Sequence, residues 1–298
     1  MMKEYDFRVA GLDLKLCLPD TKDIDRLLPS FRPFGRDESV CDENCLFRFN
    51  AQAHSRQVGG LQLLEKSVSD LGHVRLFRHH EGYRVEVRTS ANGPAHTMDA
   101  DGGFKRIDAC MQWEDPRAGY ALCSLLRIAF SQAVIGYGGV SLHASAVVLN
   151  GKAYLFMGRS GTGKSTHAAL WLRCFPGSEL LNDDNPTIRM ESGRTVVYGT
   201  PWSGKTPCYK DLCFPLGGLV RLSQAGHNRF VPLEPIDAFM AILPGCAVIS
   251  RDASLHTRLC DTLVPLSEQV TTGLLECLPD EAAARLCAGA LGNNDINL

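Results

Sequence analysis

The sequence has no surplus of charge of either sign. Its 298 residues include 31 Lys and Arg against 33 Asp and Glu, which gives a formal net charge of -2 at pH 7. Proteins that bind nucleic acid normally present a basic field to the phosphate backbone. The balance of charge therefore argues against nucleic acid, or another large polyanion, as a partner.

A long uninterrupted apolar run is also missing. The longest apolar stretch, Tyr120–Tyr137, is interrupted by Ser124, Arg127, Ser131 and Gln132, whereas a membrane-spanning helix needs about 20 predominantly apolar residues. The first residues also lack the apolar core of a signal peptide. We therefore expect a cytoplasmic protein without a membrane segment.

The 12 cysteines include no C-x-x-C pair. Such pairs are typical of zinc sites and redox motifs, whereas several of these cysteines, such as Cys17, Cys123 and Cys174, lie in apolar runs. We interpret them as reduced core residues. The sequence also has no Pro-, Gly- or Ser-rich linker and no internal repeat, and 45% of its residues are hydrophobic. The chain is therefore expected to be globular.

What the first part of the chain does contain is alternation. Apolar and polar residues alternate between Tyr5 and about Trp113, which is typical of half-buried β-strands. The segment that follows, Arg117–Tyr137, has apolar residues at helical spacing. We therefore predict a β-rich accessory domain over residues 1–115 and a second domain over residues 116–298.

The second domain is predicted to mix strands and helices. Val140–Leu149 is an apolar run that we interpret as one strand, and Asn150-Gly151 after it is typical of a hairpin turn. Apolar spacing predicts helices over Pro235–Leu243, Leu255–Leu275 and Glu281–Leu291. The fold class is therefore α/β, and α+β when the first domain is included.

One stretch carries a specific chemical pattern, G-x-x-x-x-G-K-[ST]. Glycine reaches backbone conformations that other residues avoid, so consecutive N–H groups of such a loop can turn inward around a polyphosphate. The lysine reaches the outer phosphates and the hydroxyl binds Mg²⁺. The predicted ATP-binding and Mg²⁺-binding loop consists of Gly158, Arg159, Ser160, Gly161, Thr162, Gly163, Lys164, Ser165 and Thr166.

The context of this loop agrees with the pattern. Ala153–Met157 before it is a short apolar run that predicts a buried strand, and Thr166–Cys174 after it predicts a helix. A helix at this place would direct its positive N-terminal end toward the phosphates. The alternative is a glycine-rich turn that binds nothing.

Two adjacent carboxylates follow the next predicted strand. Asp183 and Asp184 come directly after Glu179–Leu181 and Asn182, and the end of this strand is expected at the same sheet edge as the loop. One carboxylate could bind Mg²⁺ while the other accepts the proton of an attacking hydroxyl. The sequence does not say which residue has which role, and a solvated acidic turn remains the alternative.

A second stretch, Gly199–Thr206, fits the same phosphate-loop pattern. Pro207 follows it at once and Pro215 comes soon after, so no helix of useful length can begin there. We therefore predict a loop that presents Trp202 and Lys205 to the site, with an ordinary turn as an equal alternative.

Three features together resemble the HPr kinase/phosphorylase family: Leu142-His143-Ala144 on a strand, the loop Gly158–Thr166, and the pair Asp183-Asp184. More distantly, they resemble the ATP-dependent phosphoenolpyruvate carboxykinases. The resemblance covers about residues 140 to 205. It implies a P-loop nucleotide-binding core of the HPr kinase/phosphoenolpyruvate carboxykinase type that uses ATP and Mg²⁺.

The resemblance also implies roles for individual residues. Lys164 and Ser165 would bind the phosphates and the metal, Asp183 would be the general base, Asp184 would bind Mg²⁺, and His143 would lie near the transferred phosphate. Without the resemblance, a lone histidine in a strand is more often structural. The β-rich first part does not look like the usual N-terminal domain of HPr kinases.

The expected function is transfer of the γ-phosphoryl group of ATP to a hydroxyl, such as a serine of a small molecule, a peptide or a protein. A regulatory nucleotide-binding protein without catalysis is one alternative. A phosphorylase or phosphohydrolase that works in the reverse direction is another. The sequence leaves open whether the chain forms a homo-oligomer.

Overall fold

A computed structural model describes residues 1–52, 58–204 and 206–293. The contacts within the chain divide it into two compact units, Met1–Gly136 and Tyr137–Leu298, here called the first and second units. Each unit is built on a β-sheet of its own, and helices accompany both sheets. The fold is therefore mixed α/β, as expected.

The first unit is built on an eight-stranded sheet in the order β1-β2-β3-β8-β7-β6-β5-β4. Neighbouring strands are antiparallel except that β3 is parallel to both β2 and β8. In Phe47–Gln52, Gly82–Arg88 and His96–Asp101 the alternation of the sequence corresponds to one buried face. The elements are β1 (Met2–Val9), β2 (Leu12–Pro19), α1 (Ile24–Leu27), β3 (Phe47–Gln52), β4 (Gln62–Ser69), β5 (Gly72–His79), β6 (Gly82–Arg88), β7 (His96–Asp101), β8 (Arg106–Cys110) and α2 (Ala118–Ala133).

Helix α2 belongs to the first unit and packs on β6 and β7. The sequence predicts this helix as part of the second domain, over residues 116–298, and the boundary expected after residue 115 stays a prediction. Among the described residues, only the helical segment Ala118–Tyr137 is long and apolar enough to span a membrane, and 72% of its most apolar part is buried inside the protein. Burial of this kind is ordinary for a core helix.

The second unit contains a nine-stranded sheet whose main path is β12-β10-β11-β15-β14-β13-β9. Strand β17 pairs with β15 and with β16. The elements are β9 (Gly139–Ser141), β10 (Ala144–Leu149), β11 (Lys152–Met157), α3 (Lys164–Cys174), β12 (Glu179–Asn182), β13 (Thr187–Glu191), β14 (Arg194–Tyr198), β15 (Cys213–Gln224), β16 (Arg229–Pro232), α4 (Pro235–Ile242), α5 (Ala253–Gln269), β17 (Thr272–Cys277) and α6 (Glu281–Ala290).

Three parallel neighbours, β11, β15 and β17, form the centre of this sheet. Helices α3 and α6 pack against each other, and both contribute to the core cluster on one face of these strands. Trp171 of α3 lies in that cluster with Phe156, Val220, Leu275 and Cys287, all of them buried. The core therefore fixes α3 against the strand that precedes it.

Two predictions about the second unit are wrong. Val140–Leu149 is not one strand, because the chain changes sheet partners at Leu142-His143: β9 pairs with β13, whereas β10 pairs with β11 and β12. The helix predicted to reach Leu275 ends at Gln269, because the following residues form β17 between β15 and β16. A short apolar run fits a buried strand and a helix equally well, so periodicity could not separate the two.

Candidate active site

The predicted phosphate loop connects β11 to α3. Gly161 and Gly163 have positive φ angles of 82° and 105°, and α3 begins at Lys164 without a side-chain cap on its first N–H groups. A Cβ atom on Gly158 would lie 2.8 Å from the Thr162 hydroxyl oxygen. The loop is thus held in a conformation that only glycine permits, and free N–H groups at a helix N-terminus favour an anion.

Lys164 lies inside this loop and is 8% exposed. Its ammonium group donates to the carbonyl oxygens of Gly158, at 3.1 Å, and Arg159, at 3.4 Å. Burial lowers the pKa of Lys164, while the carboxylates of Asp184 and Asp183 act in the opposite direction. A cation with so little contact with water is well placed to bind a polyanion strongly.

His143 connects Lys164 to the acidic pair. Its Nε2 atom lies 2.8 Å from the Lys164 ammonium and its Nδ1 atom 3.0 Å from Asp184 Oδ1. Because an ammonium group can only donate, Nε2 accepts and Nδ1 carries the proton that it donates to Asp184. The backbone of His143 is also anchored, because its N–H donates to the Gly245 carbonyl at 2.8 Å.

The position of His143 follows from two chain segments that run side by side. Leu142 N–H donates to the Pro186 carbonyl at 3.0 Å, and Ala144 N–H donates to the Asp184 carbonyl at 3.1 Å. His143 lies between these two bonds, at the break between β9 and β10. It is therefore on a bend and not within a strand, and this places its side chain beside Asp184.

Asp183 is 4% exposed and faces different partners from Asp184. Its Oδ1 atom accepts a hydrogen bond of 2.8 Å from the Ser145 hydroxyl, and its Oδ2 atom lies 3.3 Å from the Thr206 backbone N–H. Two adjacent carboxylates thus have separate environments. One is joined to the lysine through His143, and the other is held between β10 and the segment after β14.

Sequence reasoning missed Ser145 and Asn182. The sequence carries no local signal for Ser145, because its partner Asp183 is 38 residues away. The Asn182 amide oxygen accepts from the N–H groups of Asp184 and Asn185 at 3.0 Å and 2.8 Å. Its NH₂ group donates to the Trp202 carbonyl at 3.0 Å. Asn182 therefore shapes the acidic turn.

The second pattern match, Gly199–Thr206, packs on the acidic turn. The described residues after it contain no helix before β15, which agrees with its rejection as a phosphate loop. A Cβ atom on Gly204 would lie 2.8 Å from the Asp183 carbonyl oxygen. Trp202 is buried, and Lys205 lies outside the described residues.

The remaining loop residues are accessible. Arg159, Ser160, Ser165 and Thr166 are exposed, and Ser165 lies in the first turn of α3. Its hydroxyl is therefore accessible to a ligand at the N-terminus of the helix.

A cavity of about 400 Å³ adjoins the loop. Gly158–Thr162 lines one side of it, and Arg221–Gln224 of β15 with Leu274 of β17 line the rest. The Gln224 side-chain NH₂ group donates to the Gly161 carbonyl at 3.2 Å, which joins the end of β15 to the loop. The size is within the usual range of small-molecule sites.

The donor set of this site suits a metal that arrives with a phosphate ligand. In the part of the chain that the structure describes, no group of three or more His, Cys, Asp or Glu side chains could hold a metal ion by itself. Mg²⁺ at phosphate sites typically takes only one or two protein oxygens and completes its shell with phosphate and water. Asp184 and Ser165 offer oxygens of that kind beside the loop, so the residues fit nucleotide-bound Mg²⁺.

Comparison with known proteins gives a distant likeness to solved structures. No family model and no curated protein matches the chain. Among solved structures it is similar to the HPr(Ser) kinase/phosphatase from Coxiella burnetii, with a TM-score of 0.32 and 13% sequence identity, over 51% of this chain and 88% of that chain. The likeness amounts to a distant structural relationship.

Proposed function

We propose that the second unit binds Mg²⁺ and ATP at Gly158–Thr166 and transfers the γ-phosphoryl group to a hydroxyl acceptor. The observation that carries this proposal is the continuous contact from Lys164 through His143 to Asp184, with Asp183 next to it in the chain. A phosphate-binding cation, a metal-binding carboxylate and a second carboxylate are what phosphoryl transfer needs in one place.

The phosphates would lie against the loop N–H groups and Lys164, with Asp184 and Ser165 on the metal side. Bound Mg²⁺ would supply charge neutralisation to the β- and γ-phosphates. In the transfer the bond between the γ-phosphorus and the ADP oxygen breaks as a bond to the acceptor oxygen forms. The acceptor proton goes to Asp183, the carboxylate that is not joined to Lys164.

His143 would couple the two charged groups. Because its Nδ1–H donates to Asp184 and its Nε2 accepts from Lys164, it holds both side chains at the place where the γ-phosphate would lie. The acceptor hydroxyl of this proposal is that of a serine in a small molecule, peptide or protein. The same residues would catalyse the reverse reaction, since both directions share one transition state.

A nucleotide-binding protein without catalysis is the second candidate. The observation that favours it is the environment of Asp183, whose two carboxylate oxygens both have hydrogen-bond donors and which is almost completely buried. In that case Asp183 would only fix the Gly199–Thr206 segment, and nucleotide binding would be the whole function of the site.

The test is a screen for transfer from labelled ATP to free serine, peptides and cell extract, followed by single-turnover assays with the acceptor found. General-base help is typically worth about 10²–10⁴-fold, so Asp183→Asn is expected to slow transfer by that factor while ATP still binds. Asp184→Asn is expected to need more Mg²⁺ and to recover partly when Mg²⁺ is raised. Equal rates for wild type and both variants at saturating Mg²⁺ would rule out the mechanism.

A further inference from the structure

The cavity lies beside the phosphate loop on one side of β11, and the acidic pair lies on the other side of that strand. Across the sheet the order is β12-β10-β11-β15, with β17 beyond β15. The loop follows β11, the acidic pair follows β12, and the cavity is lined by the last residues of β15 together with Leu274 of β17. The loop therefore separates the two.

A nucleoside triphosphate is a directional ligand. Its γ-phosphate must face the metal-binding carboxylate, and its nucleoside is joined to the other end of the phosphate chain. If the γ-phosphate points toward Asp184 on the β12 side, then the α-phosphate and the nucleoside extend toward β15 and β17. That direction leads to the cavity.

The lining of the cavity suits a ribose and a flat base. Arg221 and Ser223 are two residues apart on β15, so their side chains share one face of the strand, and Leu274 is paired with Arg221 in register on β17. The Arg221 guanidinium donates to the Ala241 carbonyl at 3.1 Å. This bond fixes a planar cation that can stack on a base, while Leu274 adds apolar surface and Ser223 a hydroxyl.

We propose that this cavity, lined by Arg221–Gln224 and Leu274, binds the nucleoside of the nucleotide. This inference rests on the proposed function, since it uses the orientation of the phosphates toward Asp184. It adds that the chain selects a nucleoside triphosphate over bare polyphosphate, and that β15 and β17 provide the selection. The phosphate loop alone would bind both ligands alike.

The test compares two probes in wild type and in a variant with a filled cavity. Calorimetry measures the affinity for ATP and for inorganic tripolyphosphate, each with Mg²⁺. Ser223→Phe puts a ring into the cavity. Thr195→Phe is the control, because Thr195 lies on β14, is paired with Met190 of β13 and is not part of the cavity lining. Circular dichroism and a thermal melt check the fold, and Ser223→Gln is the smaller change to use if the phenylalanine variant does not fold.

Wild type is expected to bind ATP more tightly than tripolyphosphate. Ser223→Phe should weaken ATP by about tenfold or more, which is about 1.4 kcal/mol, and leave tripolyphosphate unchanged, while Thr195→Phe changes neither. Unchanged ATP affinity in a folded Ser223→Phe protein, or equal losses for both probes, would overturn the nucleoside site and leave the phosphate loop standing. Failure of wild type to bind either probe would overturn the proposed function as well.

Discussion

The buried ammonium of Lys164 makes the most direct test of nucleotide binding. Removing a buried charged partner typically costs about 2–4 kcal/mol, so Lys164→Ala should weaken Mg²⁺-ATP by that amount. Calorimetry measures the loss. Lys152→Ala is a matched control, because Lys152 is an exposed lysine of β11, the strand that precedes the loop. Undiminished affinity in Lys164→Ala would remove the phosphate-loop assignment.

Ser145 offers a second test at this scale, because its hydroxyl donates to Asp183. A neutral donor to a charged acceptor is worth about 1.5–3 kcal/mol, so Ser145→Ala should slow transfer by about tenfold or more and leave ATP affinity unchanged. Single-turnover assays measure the rate.

Ser141→Ala is the control for that variant. Ser141 is also a buried strand serine, but its hydroxyl lies 3.3 Å from the Thr187 hydroxyl and not beside a carboxylate. Slowing of equal size in both variants would mean that loss of any buried hydroxyl loosens this sheet, and Ser145 would have no particular role in holding Asp183.

Single residues were predictable where the chemistry lies in a continuous stretch. The loop Gly158–Thr166 could be recognised from its own sequence, because the strand before it and the helix after it are adjacent to it in the chain. Ser145 could not, because its partner Asp183 is 38 residues away. The bond from Asn182 to the Trp202 carbonyl could not either, because the two residues are 20 positions apart. The pairing of β10 with β12 contains a shift in register after Ala146, and no local pattern encodes such a shift.

At the scale of elements, the role of the segment Gly199–Thr206 can be tested by a substitution at Gly204, with no change at Lys205. A Cβ atom on Gly204 would be 2.8 Å from the Asp183 carbonyl oxygen and 3.3 Å from Asp184 Cβ. Gly204→Ala should therefore displace the segment from the acidic turn and lower the transfer rate several-fold, while ATP affinity stays close to that of wild type.

Kinetic assays and calorimetry on the same preparations measure the two quantities. Gly226→Ala is the control, because a Cβ atom there would meet nothing within 4 Å. If Gly204→Ala lowered ATP affinity as much as Lys164→Ala does, the segment would belong to the nucleotide site and its rejection as a phosphate loop would be wrong.

Elements were predictable where each strand keeps one partner. In the sheet of the first unit, β3, β6 and β7 follow from alternation, because their buried residues alternate with more exposed ones. The break at Leu142-His143 does not, since both β9 and β10 are apolar and the change of partner is decided by β13 on one side and by β11 and β12 on the other. Strand β17 was predicted as part of a helix for a similar reason, because it lies between β15 and β16 and the sequence does not identify these neighbours.

At the scale of the whole molecule, His167 links stability to pH. Burial lowers the pKa of His167 from 6.5 to about 4, and the ring accepts a hydrogen bond of 3.2 Å from the Trp171 indole N–H. Between these values the unfolded chain binds a proton that the folded chain does not. The contribution of neutral His167 is therefore complete above about pH 6.5 and is lost as the pH falls toward 4.

The size of this effect follows from the two pKa values. At about 1.4 kcal/mol for each pH unit, the difference between 6.5 and about 4 amounts to about 3.5 kcal/mol. His167→Gln keeps an acceptor for Trp171 but does not titrate. The free energy of unfolding from urea titrations should therefore fall less steeply in the variant over this pH range. Parallel curves for the two proteins would contradict the assignment.

The paired segments at Leu142-His143 and Asp183–Pro186 also limit how the chain can change length in evolution. Because Leu142 and Ala144 each bond to the acidic turn, an insertion of one residue in either segment would turn the next side chains to the opposite face. Both His143 and Ser145 would then lose contact with their carboxylates. Length changes among descendants of this gene should accumulate instead at turns such as Asn150-Gly151, where an added residue disturbs no chemistry.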